Sequence, residues 1–288
     1  MTLPSRDTVV LYPAGATDNR ATVVHLEQLP DGRAAVLLDR TSCHPVDAAW
    51  PDQGPDHAVL VTPDGVEVEV LDCRVAATDG SVLELTPQVR PGAEDRSFVV
   101  AHIVGPGSPV AVGDEVEVVV DAGRRRALSL GHTSCHLASL ALNSTLAARW
   151  TKQPRPDGLG NPDFDKEAIE SSRILEFGSV DRFRLNKSLR RKGFAIDGLA
   201  DELPLIEHAV NTILAEWAAT GAPVHIHQEG ELLTDRRYWV ATLNGNTVRI
   251  PCGGTHVTSL AELGQLRVGL TIDAVDSTPI LQMSTHAA

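Results

Sequence analysis

Two pairs of side chains in this sequence have the types and the spacing to grip a metal ion. The stretch "GHTSCHLASL" carries His132 and His136 four residues apart, and "IPCGGTHVTSL" carries Cys252 and His256, also four apart. On a helix, an i, i+4 pair shares one face with Cβ atoms roughly 5–6 Å apart, so two imidazoles reach one small cation. Zinc accepts His nitrogen and Cys thiolate in tetrahedral geometry. Gly253 and Gly254 lie inside the second pair, and glycine's conformational freedom lets a tight turn aim both ligands at one point. Either pair alone is a weak signal, because histidines at such spacings also serve as ordinary core or surface residues. "HTSCH" lacks the glutamate of HExxH, which argues against a zinc peptidase.

The remaining histidines and cysteines read more plainly. His225 and His227 alternate on a predicted strand and share one face, taken as the solvent face. His25, His44, His57, His102 and His208 read as surface or core residues. Cys135, i+3 from His132, is awkwardly placed for the same ion and reads as a small packing residue, as do Cys43 and Cys73.

The elements that position the two pairs follow from the hydropathy pattern. Up to about residue 120 the sequence is a series of short, valine-rich, alternating runs such as "HAVLVTPDGVEVEVLDC" and "DEVEVVV", separated by "PDG" and "TDG" turn signals. Regularly spaced short strands predict a small barrel or sandwich. After Asp121 the period changes. Leu130, Leu137, Leu140, Leu142 and Leu146 recur at helical spacing and predict a helix from Ser129 to Trp150. "TKQPRPDGLGNPDFD" predicts a loop. A second helix is expected at "DELPLIEHAVNTILAEWAATG", capped by Asp201 and ended by Gly221. "APVHIHQEG", "YWVATLNG" and "NTVRIPCGG" read as strands.

Composition narrows the function classes. With 288 residues, 42% hydrophobic, the chain can bury a large core. It has no apolar run of the roughly 18–20 residues a membrane helix needs, and its N-terminus has no signal-peptide pattern. Four cysteines in a chain this long suggest reduced thiols and a cytoplasmic location rather than a disulfide framework. The net charge of −13 argues against a protein that coats DNA or other nucleic acid non-specifically. Against this acidic background two basic runs stand out, "RFRLNKSLRRK" with Arg190, Arg191 and Lys192, and Arg124 to Arg126. They are candidate phosphate contacts.

At this point a resemblance can be named. "GHTSCHLASLALN" resembles the HTxxHLL segment of the alanyl-tRNA synthetase editing domain and of free-standing alanyl-tRNA editing proteins of the AlaX type. "PCGGTHVTSLAELGQLRV" is similar to their CGGTHV segment, and "VVHLEQLPDGRAAVLLDRTSCHP" to their strand–turn–strand leading to LDRT. The resemblance covers nearly the whole chain. It implies an α+β fold: a small N-terminal β-barrel domain over residues 1–120, then an α+β zinc-binding editing domain with antiparallel sheet over 121–288. It also implies a zinc-dependent deacylase that hydrolyses the ester of a mischarged tRNA in trans, serine or glycine on the alanine tRNA in the usual case. The metal ligands carry over to His132, His136, Cys252 and His256, with Thr255 and Gly254 beside the pocket.

One segment departs from the family. Its glycine-rich run ending in Gln-Pro becomes Asp47-Ala48-Ala49-Trp50-Pro51, so Asp47 and Trp50 are expected to reshape the substrate pocket. Thr133, Thr255 and Asp47 are the candidate catalytic or hydroxyl-reading residues. The segment from about Gln153 to Gly193, longer than in the family, carries Arg190, Arg191 and Lys192, candidates for holding the acceptor end of the tRNA. The alternatives are a deacylase for tRNA charged with an unusual threonine-like amino acid such as fluorothreonine, a small-molecule ester or amide hydrolase, and a zinc-stapled RNA- or protein-binding module without turnover. The last is favoured by the closed four-ligand set, which is typical of structural zinc.

Overall fold

Alternating valines build the first strands. In a computed structural model that describes residues 3–47, 51–87, 92–93, 95–275 and 278–288, six long strands form in the first part of the chain. They are β1 (Asp18–Gln28), β2 (Ala34–Leu38), β3 (Ala58–Val61), β4 (Glu67–Thr78), β5 (Ser97–Val104) and β6 (Glu115–Val120). In β6, Val116, Val118 and Val120 point inward and Glu115 and Glu117 outward, as a period of two requires. All pairings are antiparallel, and they return on themselves: β3 pairs with β6, β6 with β1, β1 with β2, β2 with β5, β5 with β4, and β4 with β3. Irregular register at Val23/His25 and at Val70/Asp72 bends β1 and β4. Val23, Val36, Leu38, Leu60, Val100 and Val118 fill one core. The opposite faces of β2 and β5 bury Leu37, Val99 and Ile103 in another, so these two strands are apolar on both sides.

From Asp121 the chain forms α1 (Ala122–Thr145), α2 (Phe164–Ala168), β7 (Ile169–Leu175), β8 (Gly178–Arg184), α3 (Lys187–Arg191) and α4 (Leu199–Ala219). It continues through β9 (Val224–Gln228), β10 (Arg237–Leu243), β11 (Asn246–Pro251), β12 (Arg267–Val275) and β13 (Thr278–His286). The antiparallel character expected of this part holds: one sheet runs β7-β8-β13-β12. Edge strand β12 is covered by α4, where Glu207 and Asn211, one turn apart, engage the Leu270 N–H and the Val268 N–H and carbonyl at 2.8 Å each. That removes exposed edge groups on which another strand could dock.

By contacts the chain separates into two units, Met1–Arg125 with Ile226–Arg237 and Gly253–Thr255, and Arg126–His225 with Tyr238–Cys252 and His256–Ala288. Two expectations about helices are corrected. α1 starts at Ala122, not Ser129, because the Asp121 carboxylate accepts the Arg124 N–H at 3.0 Å and caps the helix earlier. α4 starts after Gly198, whose carbonyl accepts the Glu202 N–H, so Asp201 lies in the first turn and not at the cap.

Candidate metal centre

The His132/His136 pair lies on the α1 face packed in the interior of its own unit. Gly131, just before it, is required by sterics: an added Cβ would collide with the carbonyl oxygens of Leu175 and Gly178 at the β7–β8 turn. The helix therefore lies directly on that turn. Cys135 faces the sheet, where its thiol meets the buried Asp181 carboxylate at 3.5 and 3.6 Å. Burial, then Asp181, pushes that thiol well above its usual range, and it packs there, away from the histidine face.

The second pair is delivered by a hairpin. Asn244 and Gly245 both have positive φ and connect Leu243 to Asn246 in two residues, the backbone that an Asn-Gly hairpin turn requires. This fixes the register that sets Trp239 opposite Ile250. Cys252, two residues beyond Ile250, follows on the same face. Among the described residues, the left-handed glycines do not include Gly253 or Gly254. A Cβ at Gly253 would meet nothing within 4 Å. The expected reason for glycine at that position, a backbone angle closed to other residues, is corrected: Gly253 has an ordinary φ and room for a side chain.

The two pairs meet. The Cys252 Sγ lies 3.2 Å from His256 Nε2 and 3.5 Å from His132 Nε2. Ligand atoms of His132, His136, Cys252 and His256 all lie within 4.8 Å of one another. Zinc bonds of about 2.0–2.1 Å to nitrogen and 2.3 Å to sulfur put tetrahedral S···N edges at roughly 3.5 Å. The donor set and its spacing therefore fit zinc. His132 is buried and the other three are half-buried. The imidazole of His136 packs on the fully buried Trp239 at 5.2 Å between centroids. Trp239 was not singled out from the sequence; the Asn-Gly turn and the period of two along β10 and β11 could have found it.

Thr133 is hydrogen-bonded to His256 and to the residue after it. Its hydroxyl donates to the Ser129 carbonyl at 2.9 Å. Its oxygen then accepts from His256 Nδ1 at 3.1 Å and from the Val257 N–H at 3.3 Å. With its proton directed to Ser129, Thr133 can only accept from the imidazole. Nδ1 of His256 therefore carries the ring proton and Nε2 turns a lone pair toward the thiol. Such a hydrogen bond fixes which imidazole nitrogen carries the proton. Thr255 is 3% exposed and is held by Gln53, a residue the sequence reading passed over: Gln53 Nε2 donates to Thr255 Oγ1 at 3.0 Å and Thr255 N donates to Gln53 Oε1 at 3.1 Å.

The other expected site residues are less concentrated. Gly254 is buried. Asp47 follows Val46, whose backbone bonds to Cys73 and Val75. Trp50 lies outside the described residues, as do Ala48 and Ala49. Arg190 makes a two-pronged pair with Asp197 at 2.9 Å, Lys192 pairs with Glu167 at 2.5 Å, and Arg191 is exposed. In the run Arg124–Arg126, only Arg125 is fully buried. Arg125 is buried against Asp56, Arg124 donates to the Pro55 carbonyl and Arg126 pairs with Glu262. His225 and His227 are exposed, as read.

No family model matches the chain. Over 264 residues it is 29% identical to an alanine–tRNA ligase of Frankia alni, covering 92% of this chain and 25% of the ligase. The corresponding enzyme of a Nocardioides species is 26% identical over 83% of this chain and 22% of the ligase. The chain thus spans a quarter or less of these ligases. The alanyl-tRNA editing protein AlaX-M of Pyrococcus horikoshii is 27% identical, over 81% of this chain and 78% of that protein. With the two halves of the metal motif converging in space and an editing protein aligned along most of both lengths, the chain is a homologue of the AlaX-type alanyl-tRNA editing proteins and of a segment of alanine–tRNA ligases.

Proposed function

We propose that this chain is a zinc-dependent aminoacyl-tRNA deacylase acting in trans, cleaving the ester between a wrong amino acid and the terminal ribose of a tRNA. Serine or glycine on the alanine tRNA are the proposed substrates, and the cytoplasm the proposed compartment. The reading is supported above all by the convergence of His132, His136, Cys252 and His256 within 4.8 Å, in a chain that matches an editing protein along 78% of that protein's length. These four side chains would hold zinc. When bound, the ion supplies Lewis acidity to an ester carbonyl, a water of lowered pKa, or a grip on the substrate's amino group.

The chain's own residues do the rest. Thr133 keeps the ring proton on His256 Nδ1, and so keeps Nε2 basic. Trp239 walls one side of His136 with apolar surface and excludes water there. Gly254 and Thr255, with Asp47 and Trp50, are proposed to shape the amino-acid pocket. Arg190, Arg191 and Lys192 are proposed to meet phosphates of the acceptor end, with Arg190 and Lys192 exchanging their present carboxylate partners for the tRNA backbone. The closed ring of pairings from β1 to β6 is read as a small β-barrel, with residues 1–120 as one domain and 121–288 as the editing domain.

One observation favours a second reading. Four protein donors are the usual complement of a structural zinc, whereas catalytic zinc keeps a position open, so a zinc-stapled RNA- or protein-binding module fits the donor count. A panel of tRNAs charged with serine, glycine, threonine and fluorothreonine separates the two. The expected result is release of amino acid from at least one of them, with the most rapidly cleaved ester identifying the substrate, the threonine-like one included. Binding of every tRNA without release from any would favour the module.

A further inference from the structure

The five residues from Cys252 to His256 must present a thiol and an imidazole at one point, yet two of the three between them are glycines with no side chain to anchor. Thr255 is the remaining handle, and it is gripped at its hydroxyl and at its backbone N–H. The carboxamide of Gln53 donates to its hydroxyl at 3.0 Å and accepts its backbone N–H at 3.1 Å. Gln53 is 2% exposed and Thr255 3%, so neither bond competes with bulk water. Glutamine suits this task because its neutral amide offers a donor and an acceptor side by side.

Gln53 is itself held on a fixed base. Its N–H donates to the Asp52 carboxylate at 2.7 Å. Three residues on, Asp56 is locked: its N–H donates to the His44 carbonyl at 3.0 Å, and its carboxylate receives the Arg125 guanidinium, with Nε at 2.9 Å. Arg125 also donates to the Ser42 carbonyl at 2.8 Å. Asp56 is 2% and Arg125 5% exposed, and a buried charge pair with its lone pairs satisfied holds one geometry. On the far side of Thr255, Thr133 fixes His256 and Val257. Gln53 is thus the side chain that holds the loop at Thr255, directly after the glycine pair.

We infer that Gln53 is a positioning residue for the Cys252–His256 ligand loop: by clamping Thr255 it preorganises the thiol and the imidazole that take the ion. The inference rests on the zinc-site reading but not on which ester is cleaved. It acts through Thr255, so its test reads metal affinity and ligand geometry rather than turnover.

The experiment uses the full chain and zinc itself, titrated in competition with a chromophoric chelator, with cobalt(II) as a spectroscopic substitute. Gln53→Met keeps the volume and removes both bonds. It is expected to weaken zinc 10- to 100-fold, the usual effect of losing a residue that orients a ligand, and to shift the thiolate-to-cobalt absorption band. Thr255→Ser keeps both bonds and is expected to bind zinc like the parent. Combining Gln53→Met with Thr255→Val should cost little more than Gln53→Met alone, because the two residues act as one unit. If Gln53→Met does not fold, Thr255→Val carries the test, since it loses the hydroxyl bond alone and should weaken zinc severalfold. Zinc affinity and cobalt spectrum unchanged in folded Gln53→Met, or in Thr255→Val where that variant carries the test, overturn the inference while leaving the metal site intact. A parent chain that binds no zinc overturns both.

Discussion

Two groups of cysteine and histidine among the described residues bring their donor atoms within 4.8 Å of one another, and they differ in nearly everything else. His132, His136, Cys252 and His256 are mostly half-buried, and a threonine holds the proton of one imidazole on the nitrogen facing away from the thiol. Cys43, Cys73 and His102 are fully buried. Both ring nitrogens of His102 are already engaged, Nδ1 with the Val36 carbonyl at 3.2 Å and Nε2 with the Thr41 hydroxyl at 2.9 Å. Burial pushes the Cys73 thiol far up and the His102 imidazole down to about 4. The second group is therefore packed core, two thiols against a neutral ring. Proximity of donors does not make a metal site; access and a lone pair directed inward do.

The comparison breaks first on activity. Cys252→Ala and His136→Ala should each reduce release of amino acid from mischarged tRNA to background, whereas Cys43→Ser and Cys73→Ser, if folded, should retain it. Deacylation that survives in both ligand variants would remove the assignment. Stability of the helix that carries the histidine pair comes next. Gly131→Ala forces a methyl group into the carbonyls of the β7–β8 turn and should cost at least the 1–3 kcal/mol of ordinary overpacking, read as a lower urea midpoint.

The buried group is sharpened by acid. His102 and His44 both have imidazoles lowered to about 4, by burial first, against an unfolded value near 6.5. Between those values the folded chain binds fewer protons than the unfolded one. Stability is therefore full above about pH 6.5 and is lost as pH falls toward 4, by up to ~1.4 kcal/mol per pH unit for each histidine. Urea midpoints measured from pH 7 to pH 4.5 should fall, and fall less steeply in His102→Gln. The smallest effect is expected from Arg190, Arg191 and Lys192 changed together to alanine. Because two of the three already carry carboxylate partners, tRNA binding should weaken by a few-fold. The salt slope should drop by about one for each phosphate that is no longer neutralised, and no change in either would remove the patch from the proposal.

Much of this was legible in the sequence for local reasons. The valine alternation of β6, the Asn-Gly turn before β11 and the i, i+4 histidines each encode their geometry within a few residues. What was missed depends on partners distant in sequence. Strand β8 turns Ser179 and Asp181 inward beside Phe183, so its buried face is polar and its alternation is hidden; it read as part of a basic run. Arg125 looks like surface charge until Asp56 is brought to it. Gln53 carries no local pattern that marks it, since its role exists only against Thr255. The early start of α1 is set by one capping carboxylate, Asp121, which outweighs the weak apolar pattern of its first turns.

Metal content tests the central claim most directly. The purified chain, loaded with zinc and freed of excess, should hold about one ion per chain, as a single four-ligand site requires. That ion should be lost in Cys252→Ser and kept in Cys43→Ser. A folded chain that takes up no zinc, or one whose zinc survives Cys252→Ser and disappears in Cys43→Ser, would contradict the account.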